Sequence, residues 1–152
     1  MHPDPVERSV SLFQQGFTCS QAILAAFSTR YGLDEPTALK VACAYGGGIA
    51  RSGDMCGAVS GALMVLGLAH GKATLDDDVA KERTYAFTRE FWKRFRERQG
   101  SLVCKELIGV DIGIPEGAKA ASESGVFREK CPLLVRCAAE ILRELLEDSP
   151  AW

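Results

Sequence analysis

The sequence predicts an all-α protein: a single-domain helical bundle of five to seven helices around a central apolar helix at about residues 55–69. Three observations carry this. Helix-start signals recur along the chain, a Ser, Thr or Asp ahead of an apolar-periodic run, at 4–7 and 18–21 reinforced by Glu or Gln three residues on. Apolar residues then follow at spacings of three and four. No convincing strand pattern, internal repeat or domain boundary interrupts the 152 residues, a length that suits one domain.

The first helix opens at "DPVE" (4–7), where Asp4 caps, Pro5 takes the first helical position and Glu7 reaches back. Val6, Val10 and Phe13 follow on one face, and Gly16 ends it. "TCSQ" (18–21) is a second capping box, with Thr18 as cap and Gln21 three residues on. Ile23, Leu24, Phe27 and Tyr31 form its stripe, and Gly32 stops it. Asp34 caps a third helix that runs through Leu39, Ala42 and Cys43 to the glycines at 46–48. Asp54 caps the fourth, "MCGAVSGALMVLGLAHG", which is apolar almost all round, as a central helix is.

Thr74 opens a long fifth helix to about Gln99. Phe87, Phe91 and Phe95 recur along it four apart, with Tyr85 and Trp92 nearby. Ser101 caps a short sixth helix, "LVCKELIG". Residues 109–126, rich in Gly and Ser, read as a long connection with one short turn of helix. The last helix is "CPLLVRCAAEILRELLED", with Cys131 as its cap, Pro132 at its first position and a stripe of Leu134, Ala138, Ile141 and Leu145.

Composition narrows the function. Lys plus Arg number 18 and Asp plus Glu 20, so no global charge argues for nucleic acid or an anionic membrane. The longest apolar run, 55–69, falls short of the roughly 20 residues a membrane span needs. "MHPDPVERSV" has no basic segment followed by an apolar one, so no signal peptide is read and the cytoplasm is the default expectation.

Six cysteines remain to be explained: Cys19, Cys43, Cys56, Cys104, Cys131 and Cys137. Without a secretory signal a disulfide framework is not the first choice, and no CxxC occurs. Any site is therefore assembled from distant cysteines. Four of them, Cys19, Cys56, Cys104 and Cys131, fall in the first turns of four helices. Helix starts carry unpaired N–H groups and the positive end of the macrodipole, which favour thiolate, the nucleophile and metal ligand. At least one of Cys19 and Cys56 is accordingly expected to have a pKa below the free value of about 8.5. Gly57 and Gly61, and Ala58 and Ala62, give the Cys56 helix a small face that lets another helix approach; tight packing alone also explains that face. Cys43 and Cys137 lie on or beside apolar stripes and read as core residues outside any site.

"FTCSQAIL", "YGGGIARSGDMCGAVSGALMVLGL", "QGSLVCKELIG" and "KCPLLVRCAAEIL" together resemble the C-GCAxxG-C-C family of redox-active proteins. "CGAVSG" at 56–61 matches its motif, and Cys19, Cys104 and Cys131 match its other characteristic cysteines. The resemblance covers nearly the whole chain and implies a small helical protein that works through its cysteines. It supplies a class and no reaction.

Three readings follow, all with Cys19, Cys56, Cys104 and Cys131 converging or failing to. In the first, a thiolate attacks a partner and a second thiol resolves the mixed disulfide; a redox partner protein or a small thiol or electron donor is then the partner, and no cofactor is needed. In the second, the four hold an iron–sulfur cluster or zinc. In the third, the chain is a helical interaction module whose cysteines only pack. Other signals are bland. "GGGIARSG" (46–53) reads as a helix stop and tight turn, or as a nest for an anion with Arg51 beside it. "KRFRER" (93–98) reads as a solvated helix end, and His70 as a helix-end residue. The aromatic helix and Trp152 suggest a homodimer.

Overall fold

The computed structural model describes residues 3–147; His2 and Trp152 lie outside the described residues. Nine α-helical segments follow one another: α1 (Pro5–Gln14), α2 (Cys19–Ser28), α3 (Glu35–Ala42), α4 (Gly57–His70), α5 (Asp78–Gln99), α6 (Cys104–Ile108), α7 (Pro115–Ser124), α8 (Val126–Glu129) and α9 (Cys131–Glu147). α6 and α8 are little more than single turns, leaving seven helices of eight residues or more. The all-helical bundle is therefore as expected. The one β-type feature among the described residues is an isolated antiparallel bridge between Met55 and Val103.

Local signals explain most helix starts. The Asp4 carboxylate accepts from the Val6 N–H at 3.0 Å. Thr18 accepts from the Gln21 N–H while Gln21 accepts from the Thr18 N–H, closing the capping box. Asp34 accepts from the Thr37 N–H at 3.1 Å. Other expectations shift. α5 is capped by Asp77, not opened by Thr74, because the Asp77 carboxylate reaches the Ala80 N–H. Val103 holds the cap position of α6, with the Ser101 hydroxyl accepting from its N–H. Cys131 is the first residue of α9 rather than its cap, since the Lys130 carbonyl already accepts from Leu134 N–H. The stretch 109–126 holds the ten-residue α7, longer than the single turn expected. Its sequence, PEGAKAASES, hides the helix because only Gly117 and Ala121 are buried.

α4 runs through the middle, packed most extensively against α2 and also against α5 and α9. Its Ala58, Val59, Ala62, Val65 and Leu66 are buried beside Phe27, Phe91, Phe95, Leu134 and Ile141. His70, at the end of α4, is buried and stacked on Phe87 of α5 with ring centroids 4.4 Å apart, and burial lowers its pKa. Arg136–Glu7 and Arg143–Asp4 pairs tie α9 to the start of the chain at 2.7 and 3.1 Å. No helix among the described residues is long and apolar enough to cross a membrane.

Candidate functional site

Three local arrangements carry cysteines toward one place. The first is the backbone pairing around Met55 and Val103. The Cys56 N–H donates to the Leu102 carbonyl at 2.8 Å, and the Cys104 N–H donates to the Asp54 carbonyl at 2.6 Å. This pairing places Cys56 at the cap of α4, where Asp54 was expected, and sets Cys104 alongside. The second is the glycine face of α4. A Cβ on Gly57 would lie 3.1 Å from the Ser20 nitrogen and 3.2 Å from the Cys19 Cβ; one on Gly61 would lie 2.8 Å from the Ser20 carbonyl oxygen. Only hydrogen at those positions lets the start of α2 sit against the start of α4. The third brings the start of α9 to α2, close enough for the Cys19 and Cys131 thiols to shift each other's ionisation.

All four lie on a cavity of about 670 Å³. Phe13, Ile108, Ile112, Phe127 and Leu134 contribute apolar wall, and Gly46, Gly47, Gly48, Ala50 and Arg51 close one side. Cys43 lines the same cavity and is exposed, which corrects its reading as a core residue outside the site. Ala38 and Ala42 are the buried face of α3, and at about 100° per residue the next position turns away from it. Cys137 is buried, away from the cavity lining, on the core face of α9. All six cysteines are free thiols.

The electrostatics reverse one expectation. Neither Cys19 nor Cys56 has a lowered pKa. The Ala58 and Val59 N–H groups at the start of α4 do favour a Cys56 thiolate, but burial outweighs them and pushes the thiol up to about 12. Burial likewise raises Cys104 to about 11. The lowered group is Cys131: the Cys19 thiol donates to its sulfur, and the Lys130 charge helps, against the cost of burial. Cys19 is raised correspondingly, by that bond first and then by burial and the neighbouring sulfurs. Sequence sees the helix start; it does not see how much protein covers it.

Residues 46–53 form something the sequence does not announce. Gly47, Gly48, Ile49, Ala50 and Arg51 all have positive φ, between 50° and 70°. Glycine adopts this region freely, but for the other three it costs roughly 1–2 kcal/mol each. The turn is held by its own backbone: Ala50 N–H donates to Ala44, Arg51 N–H to Gly46 and Asp54 N–H to Gly48. Ser52 Oγ adds a 2.6 Å bond to the Gly48 carbonyl. A Cβ on Gly48 would come within 2.7 Å of the Cys104 Cβ, so the turn lies directly against the cysteine site. Glycine at 47 and 48 hints at it; Ile49 and Ala50 argue locally against it, so only tertiary context produces it.

Among the described residues, no group of three or more His, Cys, Asp or Glu side chains is placed to hold a metal ion. What the four cysteines do offer is a pair of interacting thiols, Cys19 and Cys131, of which Cys131 gives up its proton more readily, while burial raises Cys56 and Cys104.

No curated protein and no solved structure matches the chain. The family described as "Putative redox-active protein (C_GCAxxG_C_C)" matches residues 17–145, from just before Cys19 to Leu145 in the last helix. With its motif at the cap of the central helix and its other cysteines on the same cavity, the chain belongs to the C_GCAxxG_C_C family of redox-active proteins.

Proposed function

We propose that the protein performs thiol–disulfide exchange through Cys131 and Cys19. The observation that carries this is the meeting of Cys131 and Cys19 on one cavity, where the interaction between the two sulfurs lowers Cys131 and raises Cys19. The Cys131 thiolate attacks one sulfur of a disulfide substrate. The substrate S–S bond breaks, one half leaves as thiolate, and Cys131 is held in a mixed disulfide. Its negative charge is then gone, and with it the main cause holding the proton on Cys19. Cys19 releases that proton to the departing thiolate or to water and attacks the Cys131 sulfur. The second half leaves as thiolate. The substrate has gained two electrons, and the protein holds a Cys19–Cys131 disulfide that a thiol donor or redox protein re-reduces. A cytoplasmic setting suits a site that starts each cycle as thiols.

The test is reduction of 4,4′-dithiodipyridine by the pre-reduced protein, followed at the released thione. Cys131→Ser is expected to slow it at least tenfold. Cys19→Ser is expected to stop at one thione released, with the adduct on Cys131 visible by mass spectrometry. Iron or zinc bound stoichiometrically after anaerobic purification, and lost in Cys131→Ser, would overturn the reading in favour of a metal site.

A further inference from the structure

We infer that the cysteine cavity takes a small substrate with an apolar body and a carboxylate, and that Arg51 grips the carboxylate. This rests on the thiol–disulfide reading and adds the class of molecule that reaches the sulfurs.

Volume sets the size. About 670 Å³ is room for a small molecule and not for a folded partner. The walls set the body: Phe13, Phe127, Ile108 and Ile112 are hydrocarbon surface facing the space beside the sulfurs. Charge sets the anchor. Among the described residues lining the cavity there is no Asp, Glu, Lys or His, and Arg51 is the one side chain that carries a fixed charge. No salt bridge among the described residues occupies it. Arg51 is an exposed residue of the cavity lining, and a guanidinium there matches a planar carboxylate, which it can take with two parallel hydrogen bonds.

The backbone gives a second, independent argument. Arg51 closes the run of positive φ, a conformation L side chains avoid, at φ 63°. The Arg51 N–H is bonded to the Gly46 carbonyl at 3.2 Å. Its stem lies across Gly47: a Cβ there would come within 2.9 Å of both Arg51 Cα and Arg51 Cγ. The same turn presses Gly48 against Cys104. One strained segment thus carries both the cation's root and the Gly48 backbone that packs on Cys104. A loop that only joined α3 to α4 has no need to hold three non-glycine residues in that region. Strain of this kind persists where surrounding structure enforces it, and it gathers at ligand clamps.

With a carboxylated disulfide the exchange is the one already written. The Cys131 thiolate displaces one carboxylated thiolate, and Cys19 displaces the other and loses its proton. Arg51 binds the carboxylate throughout and takes no part in bond making.

The experiment compares two disulfide probes and one ligand without sulfur. The probes are 5,5′-dithiobis(2-nitrobenzoate), which is anionic, and 4,4′-dithiodipyridine, which is neutral. Each rate is divided by the rate with free dithiothreitol, to remove intrinsic reactivity. The anionic-to-neutral ratio is expected to fall roughly tenfold in Arg51→Gln, further in Arg51→Glu, and to be partly kept in Arg51→Lys. Calorimetry with 2-nitrobenzoate should show binding to the protein and its loss in Arg51→Gln. Circular dichroism establishes that each variant is folded. An unchanged ratio with unchanged 2-nitrobenzoate binding overturns the inference. If Cys131→Ser reduces both probes normally, the exchange reading fails, while the 2-nitrobenzoate result still decides the anion site by itself.

Discussion

Cys19 in the first turn of α2 and Cys131 in the first turn of α9 meet on one cavity across 112 residues of sequence, and hydrogen bonding between their sulfurs shifts the two thiols in opposite directions. The bond makes the two sulfurs unequal. Cys131 becomes the group most ready to ionise, and Cys19 the group that keeps the proton.

Alkylation should therefore be ordered among the four motif cysteines. Under reducing, metal-free conditions, iodoacetamide at neutral pH is expected to modify Cys131 first, with Cys56 and Cys104 protected by pKa values of about 12 and about 11. Replacing Cys19 by Ala removes the donor, so Cys131 should titrate at higher pH; Cys19→Ser keeps a donor and should shift it less. Mass spectrometry of a pH series reads all three proteins. Equal rates at Cys131 in the parent and in Cys19→Ala would mean the hydrogen bond does not govern its reactivity.

Burial of Cys56 also predicts how stability responds to alkali. Its thiol has an ordinary value of 9.0 in the unfolded chain and about 12 in the fold. Above pH 9 the unfolded state loses this proton while the native state keeps it, so stability present below pH 9 is lost progressively toward pH 12. The loss attributable to Cys56 is on the order of 4 kcal/mol when complete. Urea denaturation between pH 8 and 10.5 is expected to show a falling curve, and Cys56→Ala a flatter one. Parallel curves would remove Cys56 as the cause.

How much of this was legible depends on how local each cause is. Thr18 and Gln21 are three residues apart and bond to each other, so their capping box could be read from four letters. Asp54 looked equally good as a cap, yet Cys56 holds that position because residues 53–56 are bonded to 102–105, a partner no local reading supplies. The membership of Cys19, Cys56, Cys104 and Cys131 in one site could be expected from their shared place at helix starts and from the family pattern. Which of them ionises could not, because desolvation is a property of the assembled core. Cys43 was misassigned for a smaller reason: one residue of helical rotation separates it from buried Ala42.

The left-handed turn allows a test by relief of strain. Ile49 is β-branched, 42% exposed and at φ 70°, so its side chain gives little burial to set against its backbone cost. Ile49→Gly is expected to stabilise the protein by about 1 kcal/mol in chemical denaturation. Glycine is normally the poorer choice, because it widens the unfolded ensemble. Destabilisation by 1 kcal/mol or more would mean Ile49 contributes packing that its exposure conceals.

The glycines of α4 separate close approach from mere helix composition. In an ordinary exposed helix, Gly→Ala stabilises by about 0.5–1 kcal/mol, because alanine loses less backbone freedom on folding. Gly67 meets nothing within 4 Å of an added Cβ, so Gly67→Ala is expected to follow that rule. Gly61 is six residues nearer the site, and its added Cβ would meet the Ser20 carbonyl oxygen at 2.8 Å and the Ile23 Cβ at 3.0 Å. Neither neighbour is a flexible side-chain end, so α2 and α4 must move apart. Gly61→Ala is therefore expected to destabilise by about 1–3 kcal/mol despite its better helix propensity. Because α2 carries Cys19 past Ser20, the same substitution should pull Cys19 out of register with its partner and slow alkylation of Cys131 at neutral pH. Gly67→Ala should leave that rate as it was. Paired denaturation and alkylation measurements on the two variants decide the matter. A stabilising Gly61→Ala with normal Cys131 reactivity would show that the small face is not what brings α2 to the site.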